Sequence, residues 1–390
     1  MKLPIYLDNH ATTPVDPQVV AAMLPFFSEN FGNAASRNHR FGWTAATAVD
    51  KARRQVARLI NALPEEIVFT SGATESDNLA LKGAAHAGRK RGNHLITMAT
   101  EHKAVLDSAR SLESEGFRIT YVRVQPDGLV DLGDLKAALT PQTLLVSIMA
   151  ANNEIGVVQP LEEIGRLCRE HGVLFHTDAA QAAGKIPLDV RAMHIDLLSI
   201  AGHKLYGPKG VGALYVRRAG GPLDLTPVID GGGHEGGLRS GTLNVPGIVG
   251  LGKACEICAE VMPEESRRLA GWRDHLLERL RSLLDDIHVN GSVEHRLPNN
   301  LNVSFPGLEI SELLLEIDDV ALSSGSACTS SKPEASYVLR ALGLPSEIAE
   351  TPLRFGLGRF NTQEEIDYCL GRVVEAVQRL RQVAKLGARD

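Results

Sequence analysis

In Leu197-Leu198-Ser199-Ile200-Ala201-Gly202-His203-Lys204-Leu205-Tyr206-Gly207-Pro208 a short apolar run ends in glycine, histidine and lysine. An apolar run of this length bounded by glycine reads as a buried strand. A lysine at its end is poorly explained as a solvated surface charge. Similar runs stand at Ile67-Val68-Phe69, Leu95-Ile96-Thr97, Ile119 to Val124, Leu144 to Ala150, Val173-Leu174-Phe175 and Ala213 to Val216. Most are separated by helical patterning, as in Asp77 to His86 and Leu161 to His171, and a first helical stripe (Ala45, Val49, Ala52, Val56, Leu59, Ile60) precedes them. Strands alternating with helices predict an α/β, doubly wound, largely parallel sheet. Ligands of such sheets collect beyond the carboxyl ends of the strands, so the residues after each run carry the chemistry.

From about residue 248 the pattern changes. Long amphipathic helices over 248–287 precede a strand at Asn302-Val303-Ser304-Phe305 and a helix from Ser311 to Ile317. A Ser/Gly-rich loop at 323–331, a strand from Leu353 to Leu357 and a closing helix from about 362 follow, which predicts a second, smaller α+β domain. The 390 residues, 44% hydrophobic and 23% charged, are enough to bury a sizeable core. Forty-one basic against 47 acidic residues leave a net charge of −6, which gives no reason to expect nucleic acid or a membrane as partner. No apolar run approaches the roughly 20 residues that span a bilayer. Met1 to Thr13 lacks a signal-peptide segment, and a cytoplasmic location is expected.

Five cysteines are too few and scattered for a disulfide scaffold. Cys255-Glu-Ile-Cys258 has metal-like spacing, but no second pair follows and the segment reads as helix, so no metal is expected.

Three groups follow strands. After Ile67-Val68-Phe69 comes Thr70-Ser71-Gly72-Ala73-Thr74-Glu75-Ser76-Asp77, which suits a phosphate at a helix N-terminus and equally an ordinary capping box. After Val173-Leu174-Phe175 comes His176-Thr177-Asp178-Ala179-Ala180-Gln181, whose acid could bind a metal, a ribose or a protonated ring nitrogen. Lys204 could form a Schiff base with an aldehyde. A phosphate cradle, an acid and a lysine are together the anchors of pyridoxal 5'-phosphate. Nucleotide readings fail on specifics: there is no P-loop, and the glycines at 231–237 open no clear βαβ unit.

These residues stand in motifs that run through nearly the whole chain: Tyr6-Leu7-Asp8, Ala11-Thr12-Thr13-Pro14, Phe31-Gly32-Asn33, Thr70 to Asn78 and Thr100-Glu101-His102. Further on come Asn152-Asn153-Glu154-Ile155-Gly156, His176 to Gln181, Gly202 to Gly210, Arg239-Ser240-Gly241-Thr242 and Ser323 to Ser330. In them the chain resembles the pyridoxal-phosphate-dependent cysteine desulfurases of the IscS/NifS type, in the class V aminotransferase group of fold type I. The resemblance implies a large cofactor-binding domain over 15–258 with a mostly parallel mixed sheet. It implies a small domain from 1–14 and 259–390 that carries the Cys328 loop. Lys204 should hold the cofactor as a Schiff base, Asp178 the ring nitrogen and Gln181 the ring hydroxyl. His102 should stack on the ring, with an acid–base role. Ala73, Thr74 and His203 should hold the phosphate, with Thr242 entering from the second subunit of a homodimer. Asn153 should lie near ring oxygen and substrate, and Arg354, supported by Asn33, should bind the substrate carboxylate. Lys185 and Lys209 compete for the aldehyde but read as loop lysines.

Cys328 alone would read as an incidental thiol. The resemblance makes it the nucleophile of a long, flexible loop. L-cysteine displaces Lys204, the freed amine takes the Cα proton, and the ring stores the electrons. The Cys328 thiolate then takes the substrate sulfur as a persulfide and L-alanine leaves. Lys332 is the nearest basic residue, so the group that activates Cys328 must come from elsewhere. Ala201 stands where the family commonly has serine, and His10 where Asn or Ser is usual. The chain ends soon after the last helix, which puts the sulfur acceptor in question: an iron–sulfur scaffold or a tRNA-thiolation enzyme. The alternatives are a selenocysteine lyase or another class V enzyme such as an aminotransferase.

Overall fold

The computed structural model describes residues 2–218, 220–221, 223–324 and 336–387. Seven strands form the main sheet, in the order Ile67–Thr70, Gly212–Val216, Leu197–Ala201, Leu174–Asp178, Thr143–Ser147, His94–Met98 and Arg118–Val122. All seven apolar runs read from the sequence lie in it. Neighbours are parallel except Gly212–Val216, which runs antiparallel to both its partners, Leu214 facing Val68 and Ser199. The sheet is therefore mostly parallel but mixed.

Side chains alternate between two apolar layers, as the two-residue period of a strand requires. Phe69, Met98, Phe175, Ile200 and Tyr215 pack on one side against helix Arg40–Leu59 and the first half of helix Val245–Leu283. Val68, Leu95, Leu197, Leu214 and Val216 face the other side, against helices Ala73–Gly88 and Lys103–Ser114. Cover on both faces explains why the inner strands read as unbroken apolar runs.

A second core is built on the antiparallel sheet Pro352–Gly356, Asn300–Ser304, His288–Val289. Leu269, Leu276 and Leu280 of helix Val245–Leu283 and Ile366, Val373 and Val377 of helix Gln363–Gly387 cover it. Ile5 and Leu7 join this core, and Ile5–Tyr6 pairs with Val320–Ala321. The several helices expected over 248–287 are one helix that runs through Pro263. Proline removes one hydrogen bond, but apolar contacts on each side of it hold the helix together. Cys258 belongs to the first core and Leu269 to the second, so this one helix passes from one core to the other. No helix among the described residues is long and apolar enough to cross a membrane.

Leu276 is fully buried in the second core. Leu276→Ala should cost about 2–5 kcal/mol, measured as a lowered denaturation midpoint of the purified protein.

Candidate active site

The carboxyl ends of the strands open into a cavity of about 610 Å³, lined among others by Thr74, His102, Asp178, Lys204 and Arg354. The first four stand at or just beyond the ends of main-sheet strands, and Arg354 comes from the small sheet.

Helix Ala73–Gly88 starts at Gly72, at φ 155°, with no side-chain cap. Instead Glu75 accepts from the Ser71 N–H at 2.8 Å and pairs with Arg239 Nε at 2.8 Å. Burial works against the charge on Glu75, but Arg239 and Ser71 overcome it and hold the carboxyl below its ordinary range. The first N–H groups of the helix have no partner within it, and Ala73 and Thr74 line the cavity. A Cβ on Gly212 would stand 2.6 Å from the Gly72 Cα, so glycine there lets the strand approach this turn. His203 lines the same end, with Nδ1 3.0 Å from Thr12 Oγ1. Burial first, then Lys204, Lys209 and Lys185, push its pKa down to about 4. Ala201 is buried in the lining and brings no hydroxyl.

Lys204 ends the turn Gly202–Lys204 that follows its strand. Its Nζ donates to the carbonyls of His10 and, at 2.8 Å, Ala11. Burial, with help from Lys185 and Arg354, lowers its pKa to about 7. Lys185, read as a loop lysine, is instead buried and donates from Nζ to the Lys204 carbonyl at 2.9 Å. It supports the Lys204 turn from beneath. Lys209 is exposed and lines the cavity.

Asp178 closes strand Leu174–Asp178 and accepts from the Ala180 N–H at 2.9 Å. Burial raises its pKa, and the Ala180 bond, His102 and Lys204 pull it back. Behind it Asp77 is fully buried and raised well above the carboxylate range by burial and by Asp178. Gln181 donates from Nε2 to the His10 carbonyl at 2.9 Å. His102 accepts from the Ala104 N–H at Nδ1 (3.2 Å), so its ring proton sits on Nε2.

Arg354 extends from the small sheet into the cavity. Nη1 donates to the Asn153 carbonyl at 2.7 Å and Nη2 to Asp8 Oδ1 at 2.8 Å. Its Nε and the Asn153 Oδ1 are buried without a partner among the described residues. Unpaired buried polar atoms on two residues that line one cavity indicate a polar ligand. Asp8, fixing Arg354, is a site residue to which sequence reasoning gave no role, although it stands in the Tyr6-Leu7-Asp8 motif.

Two predicted residues are not brought in. Asn33 is exposed, its Oδ1 bonded to the Ala35 N–H at 2.9 Å, and Thr242 is exposed; neither lines the cavity. Cys328 lies outside the described residues. The chain before it reaches the cavity wall, and the chain after it is tied to Glu154 and Glu101. Ser323 lines the cavity and its carbonyl accepts from the Arg354 N–H at 2.7 Å. Ser336 Oγ donates to Glu154 at 2.5 Å and Tyr337 OH to the Glu101 carbonyl at 2.7 Å.

An uncapped helix start, a buried acid, an amine near neutrality and an amide donor fit pyridoxal phosphate. Arg354 remains for an α-carboxylate.

Residues 5–369 match the family described as aminotransferase class-V. The chain is 57% identical over 386 residues to a cysteine desulfurase IscS of Anaeromyxobacter dehalogenans, covering 99% of this chain and 95% of that one. It is 54% identical to the cysteine desulfurase IscS of Methylococcus capsulatus, with coverage of 99% and 95%. Among solved structures, a NifS-like protein superposes with TM-score 0.90 at 40% identity, covering 96% of this chain and 100% of that one. A structure described as SspA in complex with cysteine gives TM-score 0.81 at 40% identity, with coverage of 92% and 100%.

With its pKa near 7, the Lys204 amine is largely neutral at slightly alkaline pH, whereas an ordinary lysine ionises near 10.4. Condensation of the apoprotein with pyridoxal phosphate should therefore reach half its limiting rate near pH 7, followed by absorbance. Lys204→Ala should abolish that phase.

Proposed function

Since the chain belongs to the class V aminotransferases and, within them, to the pyridoxal-phosphate-dependent cysteine desulfurases of the IscS/NifS type, we propose that Lys204, Arg354 and Cys328 move sulfur from L-cysteine to Cys328 as a persulfide and release L-alanine. One observation carries this reading. Ser323, five residues before Cys328 in the sequence, lines the Lys204 cavity, and its carbonyl accepts from the Arg354 N–H.

When bound, pyridoxal phosphate supplies an aldehyde for an amine and a ring that accepts the electrons of the broken Cα–H bond. Ala73, Thr74 and His203 would hold its phosphate, Asp178 its ring nitrogen, Gln181 and Asn153 its ring oxygen, and His102 its face. The residues of the chain do the rest. Arg354, held by Asp8 and the Asn153 carbonyl, offers Nε and one Nη to the cysteine carboxylate. The neutral Lys204 amine takes the Cα proton, and the resulting ammonium is received by the carbonyls of His10 and Ala11. The Cys328 thiolate attacks the substrate sulfur. The S–Cβ bond breaks, its electron pair stays on Cβ, and protonation completes L-alanine.

The enzyme works as a homodimer in this reading. Thr242, exposed on its own chain, reaches the phosphate of a second copy, and the exposed aromatics Phe27, Phe31, Phe41 and Trp43 supply apolar surface for the contact. Asn33 would support the carboxylate site from the same edge. A sulfur acceptor protein, an iron–sulfur scaffold or a tRNA-thiolation enzyme, takes the persulfide in the cytoplasm. The solved SspA complex with cysteine supports the substrate.

Alanine released from L-cysteine should be lost in Cys328→Ser while the cofactor stays bound. Equal release by both proteins would overturn the role of Cys328 and favour selenocysteine lyase or transaminase chemistry. Arg354→Ala, stripped of a charged hydrogen-bonding partner, should raise KM for L-cysteine about 10- to 100-fold, read from initial rates.

A further inference from the structure

His10 has so far contributed only its carbonyl. His10 is 1% exposed, with Nδ1 2.9 Å from Gln181 Oε1 and Nε2 3.2 Å from the Asn299 carbonyl. Its backbone carbonyl accepts from Gln181 Nε2 at 2.9 Å and from Lys204 Nζ. The orientation of the Gln181 amide follows. Nε2 must face the His10 carbonyl, because an oxygen there would meet another oxygen. Oε1 then faces the His10 ring, and Nδ1 must carry the proton. Burial, then Arg354 and Lys185, hold the ring well below its usual pKa, so it carries a single proton, which the shorter contact to Gln181 takes on Nδ1, and Nε2 stands without one 3.2 Å from the Asn299 carbonyl. His10 thus clasps Gln181 at both ends of one amide. One Nε2 hydrogen remains, on a residue that lines the cavity.

Resting on the cofactor reading above, we propose that His10 is a positioning residue that locks the Gln181 amide with its N–H toward the ring oxygen of bound pyridoxal phosphate, and so sets the acidity of the cofactor's link to Lys204. A donor on that oxygen spreads its negative charge and weakens its hold on the proton of the neighbouring nitrogen. When the lock is removed, the amide turns, the donor is lost and the linkage holds its proton more tightly. The charged groups around the pair are Lys204, Lys185 and Arg354, with Asp8 and Asp178 of opposite sign. Substitution at position 10 changes none of them, so a shift reports the amide.

The test is an absorbance titration of cofactor-loaded wild type, His10→Leu and His10→Asn across pH, with thermal melts of all three. Asn places an amide N–H the same number of bonds from Cα as His Nδ1 and should keep the wild-type titration. His10→Leu should raise the linkage pKa by about one unit, the size of one hydrogen bond to a charged group. If His10→Leu does not melt cooperatively, His10→Ala replaces it, with the same shift expected. Identical titrations of wild type and the Leu or Ala variant would overturn the inference. So would a shift in His10→Asn as large as in His10→Leu, which would mark a structural role only. A wild type with no visible band that depends on Lys204 would instead sink the cofactor reading, and this inference with it.

Discussion

The segment from Asp8 to Asp16 lies across the turn that carries Lys204, and the site depends on that contact. Thr13 donates from both N and Oγ1 to the His203 carbonyl at 2.9 Å, and its Oγ1 accepts from the Tyr206 N–H at 2.9 Å. Asp16 N donates to the Tyr206 carbonyl at 3.0 Å. The backbone around Lys204 is thereby fixed by a segment nearly two hundred residues away in sequence. The same segment supplies the carbonyls that receive the Lys204 amine and the carboxylate that fixes Arg354. A strand end alone would leave a lysine free to reach solvent; the overlying segment turns it inward and dehydrates it.

The strap is in turn secured from the small domain. Arg359 Nε pairs with Glu265 at 2.6 Å and Nη1 with Asp16 at 3.0 Å, all three nearly buried. The Arg359 N–H donates to Tyr206 OH at 2.6 Å, and its guanidinium lies 4.2 Å over the Tyr206 ring. A buried charge network of this kind adds little net stability over an apolar one, but breaking one member is costly, about 3–5 kcal/mol. It fixes the small sheet, and so Arg354, against the Lys204 turn. Arg354 and the Lys204 amine consequently come from different sheets held against one another.

Much of this was legible in the chain. The inner strands of the main sheet announced themselves as short apolar runs, because helices cover both faces and leave no polar alternation to blur them. The groups after the runs, Thr74, Asp178 and Lys204, are those that line the cavity. The reversed direction of Gly212–Val216 was not legible, since an apolar run is the same read either way. Nor was the continuity of the helix through Pro263, where packing on two cores outweighs a local preference to break.

The sequence by itself determined the alternating elements, the residues at their ends and the family, because these are written in local periodicity and in ordered motifs. It could not determine protonation or partnership. Lys185 reads as a loop lysine until the fold buries its amine under the Lys204 carbonyl. Asp77 reads as an ordinary helix residue until burial beside Asp178 raises its pKa far above the usual range. His10 reads as a departure from the family pattern until Gln181, 171 positions later, closes on its ring and its carbonyl. Desolvation and hydrogen-bond partnership depend on what surrounds a group in space, and only the tertiary structure brings those surroundings together.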